Sequence, residues 1–94
     1  MKLFWTPEAI DDRRAIYDYI ESDDPAAALA LDDLFSAIAN RLLDHPRLGR
    51  PGRVTDTREL VAHQNYILIY DTTADRVRIL RVLHAANQWP PVRL

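Results

Sequence analysis

The segment RVRILRVLH, residues 76–84, sets Arg81 among Ile79, Leu80, Val82 and Leu83 and closes on His84. A guanidinium so flanked is costly to bury unless it is paired or faces a ligand. Arginine stays protonated, and its planar fork matches phosphate oxygens two at a time. Histidine, with a reference pKa of about 6.5, moves protons near neutral pH. Neighbouring cations lower that pKa and favour the neutral imidazole that accepts a proton. Further arginines lie in RLGRPGRVTD, residues 47–56, where Arg47, Arg50 and Arg53 recur every third residue, and Arg58 follows. One end of a sheet built from these runs would gather Arg53, Arg58, Arg81 and His84, with Arg78 alongside. Such a set can hold a phosphodiester and assist attack by its own ribose 2′-hydroxyl. The competing arrangement is internal pairing: Arg58 with Glu59 or a helix acid, Arg81 with Asp18 or Asp44, and His84 satisfied at a strand end.

Other chemistries find less support. His45, His63 and His84 are scattered along the chain and do not cluster as metal ligands would. Gly49 and Gly52 in GRPGR are too few and too proline-bound for a phosphate-cradling loop. Tyr17 with Tyr19, and Tyr66 with Tyr70, fit core and strand-face packing better than base-stacking platforms.

The elements that must position these residues follow from patterning. KLFWT, bounded by Pro7, reads as a strand. Thr6-Pro7-Glu8 is a helix start, with a hydroxyl N-cap, proline at the first helical position and an acid at the positive helix end. Ala9, Ile10, Arg13, Ile16, Tyr17 and Ile20 then share a face at helical spacing. Asp24-Pro25 starts a second helix, whose Ala27, Leu31, Leu34, Phe35, Ile38 and Leu42 form an apolar stripe reaching His45-Pro46, where the proline disfavours helix in its predecessor. Residues 47–56 read as a loop. TRELVAH, YILIYD and RVRILRVLH read as three strands in an antiparallel meander, with turns at Gln64-Asn65 and Thr72-Thr73-Ala74. The order β-α-α-β-β-β, with a helical hairpin on one face of the sheet, is an α+β arrangement. Strict alternation puts Val77, Ile79, Arg81 and Leu83 on one face of the last strand; a bulge near Leu80 would change that parity. The tail AANQWPPVRL has two prolines and reads as irregular.

With 94 residues and no cysteine, the chain suits one small domain over residues 1–94 without a disulfide framework. No run approaches the roughly 18–20 apolar residues of a membrane helix, and the acidic N-terminus does not fit a signal peptide. The expectation is a soluble, cytoplasmic, single-domain protein that makes no membrane contact. The net charge of −2 conceals an asymmetry: residues 1–46 carry four basic and ten acidic side chains, residues 47–94 eight arginines and four acids. This balance of −6 against +4 fits either an anion-binding face in the second half or mutual attraction of the halves.

Five stretches together resemble the RelE/ParE superfamily of bacterial toxins from type II toxin–antitoxin modules: Trp5-Thr6 before an acidic helix, Asp24-Pro25-Ala26-Ala27-Ala28, HPRLGRPGRVTDTREL, YILIYD, and VRILRVLHAANQWP. The resemblance spans nearly the whole chain in order and length. It implies two N-terminal helices packed on a mostly antiparallel sheet, a cognate antitoxin that folds partly over the toxin, growth inhibition or plasmid stabilisation, and no cofactor or metal. It also allows a homodimer or a toxin–antitoxin hetero-oligomer. RelE-like members act as endoribonucleases (mRNA interferases): they enter the ribosome and cut mRNA with basic sheet residues and a C-terminal aromatic or histidine. ParE-like members inhibit DNA gyrase without nuclease chemistry. By position, Arg58 and Arg81 resemble the sheet arginines of the RelE type that contact the scissile phosphate, Arg53 stands where that type has a loop lysine, and His84 matches a histidine found in both branches. Ribosome-dependent mRNA cleavage is therefore the first expectation, with Arg58, Arg81 and His84 catalytic and Arg50, Arg53, Arg78 and Trp89 binding nucleic acid. Gyrase inhibition, or a weakly toxic antitoxin-binding domain, is the alternative. Departures from the RelE pattern are the single lysine, Lys2, the absence of a tyrosine after Tyr70, and Trp89, which can stack on a base but gives up no proton.

Overall fold

A computed structural model describes residues 1–86. The elements are β1 (Lys2–Trp5), α1 (Pro7–Glu21), α2 (Pro25–Asp44), β2 (Arg50–Pro51), β3 (Arg58–His63), β4 (Tyr66–Thr72) and β5 (Arg76–His84). Both helix starts form as the cap residues dictate. Thr6 Oγ1 accepts from the Ala9 N–H at 3.1 Å and Asp24 Oδ1 from the Ala27 N–H at 3.1 Å, each followed by proline in the first turn. Such caps each contribute about 1 kcal/mol. α2 stops at His45, immediately before Pro46.

The five strands make one sheet in the order β1-β5-β4-β3-β2, with β1 parallel to β5 and every other pair antiparallel. The α+β arrangement is thus as expected, with one addition: the segment read as loop contains β2. Two residues carry no periodicity, so β2 is invisible to pattern reading. Ala9 of α1 and Phe35, Ala39 and Leu42 of α2 pack against Ala62, Leu68, Tyr70, Val77, Ile79 and Val82 of the sheet, all of them buried. Of the apolar stripe of α2, Phe35 and Leu42 are thus within the core, with Leu31 and Ile38 packed against it. No helix among the described residues is long and apolar enough to cross a membrane.

A bulge in β5 settles the parity of Arg81. Tyr70 pairs with Ile79 but Ile69 pairs with Arg81, leaving Leu80 without an opposite residue. Val77, Ile79 and Val82 consequently share the helix-facing side, and Arg81 takes the side of Ile69. A strict alternation would instead have put Arg81 beside Ile79, inside the core.

The edge of β5 explains how α1 reaches it. β1 covers β5 only from Arg76 to Ile79. Beyond that, α1 supplies the missing partners: the Thr6 N–H donates to the Ile79 carbonyl at 3.0 Å, Thr6 Oγ1 donates to the Leu80 carbonyl at 2.8 Å, and the Val82 N–H donates to Asp12 Oδ2 at 2.9 Å. Backbone groups exposed where one strand ends are thereby satisfied by side chains of the next helix.

Candidate functional site

Arg81 leaves the bulged segment of β5 and meets Asp12 on α1. Its Nε donates to Asp12 Oδ2 at 2.7 Å and its Nη2 to Oδ1 at 3.0 Å, a two-pronged pair with both side chains largely covered. The hydrogen bonds to Asp12 hold the Arg81 guanidinium above its ordinary pKa, burial opposes them, and the charges of Asp12 and Glu8 add to the upward shift. The competing arrangement, internal pairing, named Asp18 or Asp44 as the partner; α1's position along the open β5 edge selects Asp12.

His84 ends β5 beside the same hollow, a cavity of about 510 Å³ bordered by Asp12, Ala15, Ile16 and Tyr19 of α1 and by Tyr66, Arg81, Val82, Leu83 and His84 of the sheet. The Tyr66 ring stands edge-on to His84 at 5.3 Å between centroids and edge-on to Phe35 at 5.7 Å. His84 Nδ1 accepts from the Ala86 N–H at 3.1 Å.

Arg58 is elsewhere. It pairs in register with Tyr70 and hence with Ile79, whereas Arg81 pairs with Ile69 and hence with Glu59. Register partners point the same way, so Arg58 and Arg81 project from opposite faces of the sheet. Arg58 Nη1 donates to the Gly49 carbonyl at 2.7 Å, and its side chain borders a second hollow with Pro51, Asp56, Thr57, Asp71 and Thr72. It does not pair with Glu59, because adjacent residues on a strand face opposite ways.

The loop arginines are organised around one buried acid. Glu59, 4% exposed, accepts from the Arg53 N–H at 3.0 Å and lies 3.5 Å from Arg50 Nη2. The Arg53 contact comes from the backbone, and that residue is exposed. Arg78 is bound across the strands by its register partner Asp71, at 3.1 and 2.6 Å, and these bonds raise its pKa. The same loop is pinned at its other end by Tyr70, wholly buried, whose hydroxyl accepts from the Gly49 N–H and donates to the Pro46 carbonyl, both at 2.9 Å. Burial raises the Tyr70 pKa; the Gly49 bond and the Arg58 charge oppose that shift. Gly49 is required here: a Cβ would lie 2.8 Å from the Tyr70 ring and hydroxyl and 2.9 Å from the Glu59 carbonyl.

The expected gathering of Arg53, Arg58, Arg78, Arg81 and His84 at one end of the sheet is therefore corrected to two separate places. Arg81 and His84 share one hollow and Arg58 borders another from the opposite face, while Arg50, by register on the face of Arg81, stands against Glu59, Arg53 is exposed, and Arg78 is held by Asp71. Trp89 lies outside the described residues. No three His, Cys, Asp or Glu side chains are grouped as metal ligands among the described residues. One acid was missed by reading the sequence. Asp12 was legible in principle, since it stands between Ala9 and Ile16 on the inward face of α1, where an acid needs a partner. Glu59 was named as a partner for Arg58, but it faces Arg50 and the Arg53 N–H instead, since it pairs in register with Arg50.

Comparison with known proteins gives a consistent picture. Residues 3–89 match the family model described as the ParE toxin of the type II toxin–antitoxin system parDE. The chain is 42% identical over 92 residues to "Putative toxin Y4kP" of Sinorhizobium fredii, covering 97% of this chain and 95% of that one. It is 35% identical over 86 residues to "Toxin RelE2" of Caulobacter vibrioides, covering 92% and 97%. Among solved structures, a chain of the chromosomal ParDE system from P. aeruginosa superposes with a TM-score of 0.80 at 26% identity, covering 89% of this chain and 95% of that one. The YoeB dimer of Staphylococcus aureus shares the fold, with a TM-score of 0.63 at 12% identity and coverage of 89% and 95%.

Proposed function

Because the chain belongs to the ParE toxin family of the RelE/ParE superfamily, and is a toxin of a type II toxin–antitoxin system with a cognate antitoxin as partner, we propose that it inhibits growth by binding DNA gyrase and has no nuclease chemistry of its own. This reverses the order expected from the sequence, where ribosomal mRNA cleavage came first.

The observation that carries the reading is the disposition of the arginines. Cleavage through a phosphate clamp needs guanidinium groups converging on one point. Here Arg58 and Arg81 leave opposite faces of the sheet. Arg81 is neutralised by Asp12, Arg78 by Asp71, and Arg50 stands against Glu59. The overall acidity, with a net charge of −2, also gives little long-range attraction to RNA.

Ribosome-dependent mRNA cleavage retains one supporting observation: Arg81 and His84 border a single open hollow together with Tyr66. The experiment that separates the two is induction without antitoxin, followed by separate labelling of DNA and protein synthesis, primer extension on total mRNA, and a supercoiling assay with purified gyrase. The expected result is early arrest of DNA synthesis, loss of supercoiling activity and intact transcripts. Codon-spaced cuts in mRNA, with supercoiling normal at lethal doses, would overturn the proposal.

A further inference from the structure

The outer side of the α1–α2 hairpin carries an apolar groove that the core does not use. A hollow of about 290 Å³ lies there, bordered by Ile10, Arg13, Arg14 and Tyr17 of α1 and by Asp32 of α2. Arg13 and Asp32 tie its two walls together at 2.9 Å. Ile10 is 44% exposed, and Leu29, 54% exposed, stands three residues before Asp32, which continues the groove along α2. Charge decides what fits this groove. Asp11, Asp18 and Glu21 of α1 and Asp33 of α2 flank it, all exposed, against the exposed Arg14. The chain balance of −6 in residues 1–46 against +4 in residues 47–94 is not consumed by attraction between the two halves. Of the ion pairs between described side chains, Arg81–Asp12 is the one that crosses from one half to the other; the rest, Arg13–Asp32, Arg50–Glu59 and Arg78–Asp71, stay within a half. The helical carboxylates are left facing outward beside exposed aliphatic side chains.

We propose that this groove is a protein-docking surface whose occupant is a cationic amphipathic helix of gyrase, its apolar side on Ile10, Tyr17 and Leu29 and its lysines or arginines against the carboxylate rim. The inference rests on the gyrase reading above, for which it supplies the face that holds the enzyme. An apolar stripe with basic flanks is the complement of an apolar groove with an acidic rim, and the charges steer the encounter. The same rim repels phosphate, which excludes nucleic acid as the occupant. A second copy of this chain would bring identical carboxylates to the contact, which disfavours self-association through this face.

The test has two arms. The first uses the unaltered toxin and two synthetic amphipathic peptides of about 18 residues, five turns of helix, one patterned Leu/Lys and the other Leu/Glu. The Leu/Lys peptide should shift the methyl resonances of Ile10 and Leu29, with an affinity that falls as salt rises, and the Leu/Glu peptide should leave them unmoved. Equal binding of both peptides, or shifts confined to the hollow beside Tyr66 and His84, would overturn the assignment. The second arm reads inhibition of purified gyrase in a supercoiling assay. Leu29→Ser, and separately the triple variant Asp11→Asn/Asp18→Asn/Asp33→Asn, should each need about tenfold more toxin for half-inhibition. The deficit of the triple variant should shrink as salt is raised. Variants that keep the urea midpoint of the unaltered protein and also keep its potency would overturn the docking surface while the gyrase reading stands. An unaltered toxin that leaves supercoiling untouched would sink the gyrase reading, and the peptide arm then decides the groove by itself.

Discussion

Replacing Tyr70 by Phe removes a single oxygen that holds two ends of the 45–52 segment at once. The hydroxyl accepts from the buried Gly49 N–H and donates to the half-buried Pro46 carbonyl, each at 2.9 Å. Leaving a buried donor unsatisfied costs about 1–3 kcal/mol, and a carbonyl that water can still reach costs less, about 0.5–1.5 kcal/mol. Recovered desolvation of the hydroxyl offsets part of this, so the net loss should be about 2–3 kcal/mol, a large share of the roughly 5–15 kcal/mol that holds a domain folded. For a domain of this size that corresponds to a fall in Tm of about 10–20 °C. Urea unfolding followed by tryptophan fluorescence should show the midpoint shift with an unchanged m-value. The alkaline limb adds a second signature. Tyr70 is held above its ordinary pKa by burial, so the folded state keeps a proton that the unfolded state releases at about pH 10. The stability from this group is fully present below that pH and is lost as pH rises through the raised folded value. Tyr70→Phe should lack that component of the alkaline loss. A variant within about 0.5 kcal/mol of the parent, less than even one typical net hydrogen bond, with the same alkaline profile, would refute the account of how the loop is held.

Gly49→Ala should cost about 1–3 kcal/mol by overpacking, because the new Cβ meets the Tyr70 ring and hydroxyl at 2.8 Å. Its combination with Tyr70→Phe should cost less than the sum, as a double-mutant cycle in urea would show. Arg13→Lys should lose about 1–3 kcal/mol in a thermal melt, since Arg13 lies over Trp5 at 4.4 Å while bonding Asp32 at 2.9 Å and Ser36 at 2.8 Å. A lysine variant as stable as the parent would show that charge alone matters there. Arg78→Ala should move stability by less than about 1 kcal/mol, because its pair with Asp71 is short but the two side chains are 42% and 24% exposed. A larger loss in urea unfolding would mean that the pair does more than cross-strand bridging.

Much of the fold was legible because it rests on local rules. Thr6-Pro7 and Asp24-Pro25 start helices through their own side chains and ring geometry, and His45-Pro46 ends one. The runs at residues 58–63, 66–72 and 76–84 appear as strands with turns where polar residues cluster. The site was less legible. Arg81 and His84 do border one hollow, but Arg58 is turned away, and Asp12 entered from a helix 69 positions distant in sequence. Periodicity reports which residues share a side only while the strand is regular, and one additional residue reverses every assignment after it.

Residue types and their order thus carried the α+β arrangement, the helix limits and the presence of arginines in a strand that should not bury them, since each depends on chemistry within a few positions along the chain. The parallel pairing of β1 with β5, the bulge at Leu80 and the capture of Arg81 by Asp12 were settled only when the chain closed on itself. A short β1 leaves part of the β5 edge uncovered, and the helix that follows must satisfy it. The charge that meets Arg81 is chosen by that packing, and no spacing in the sequence encodes it.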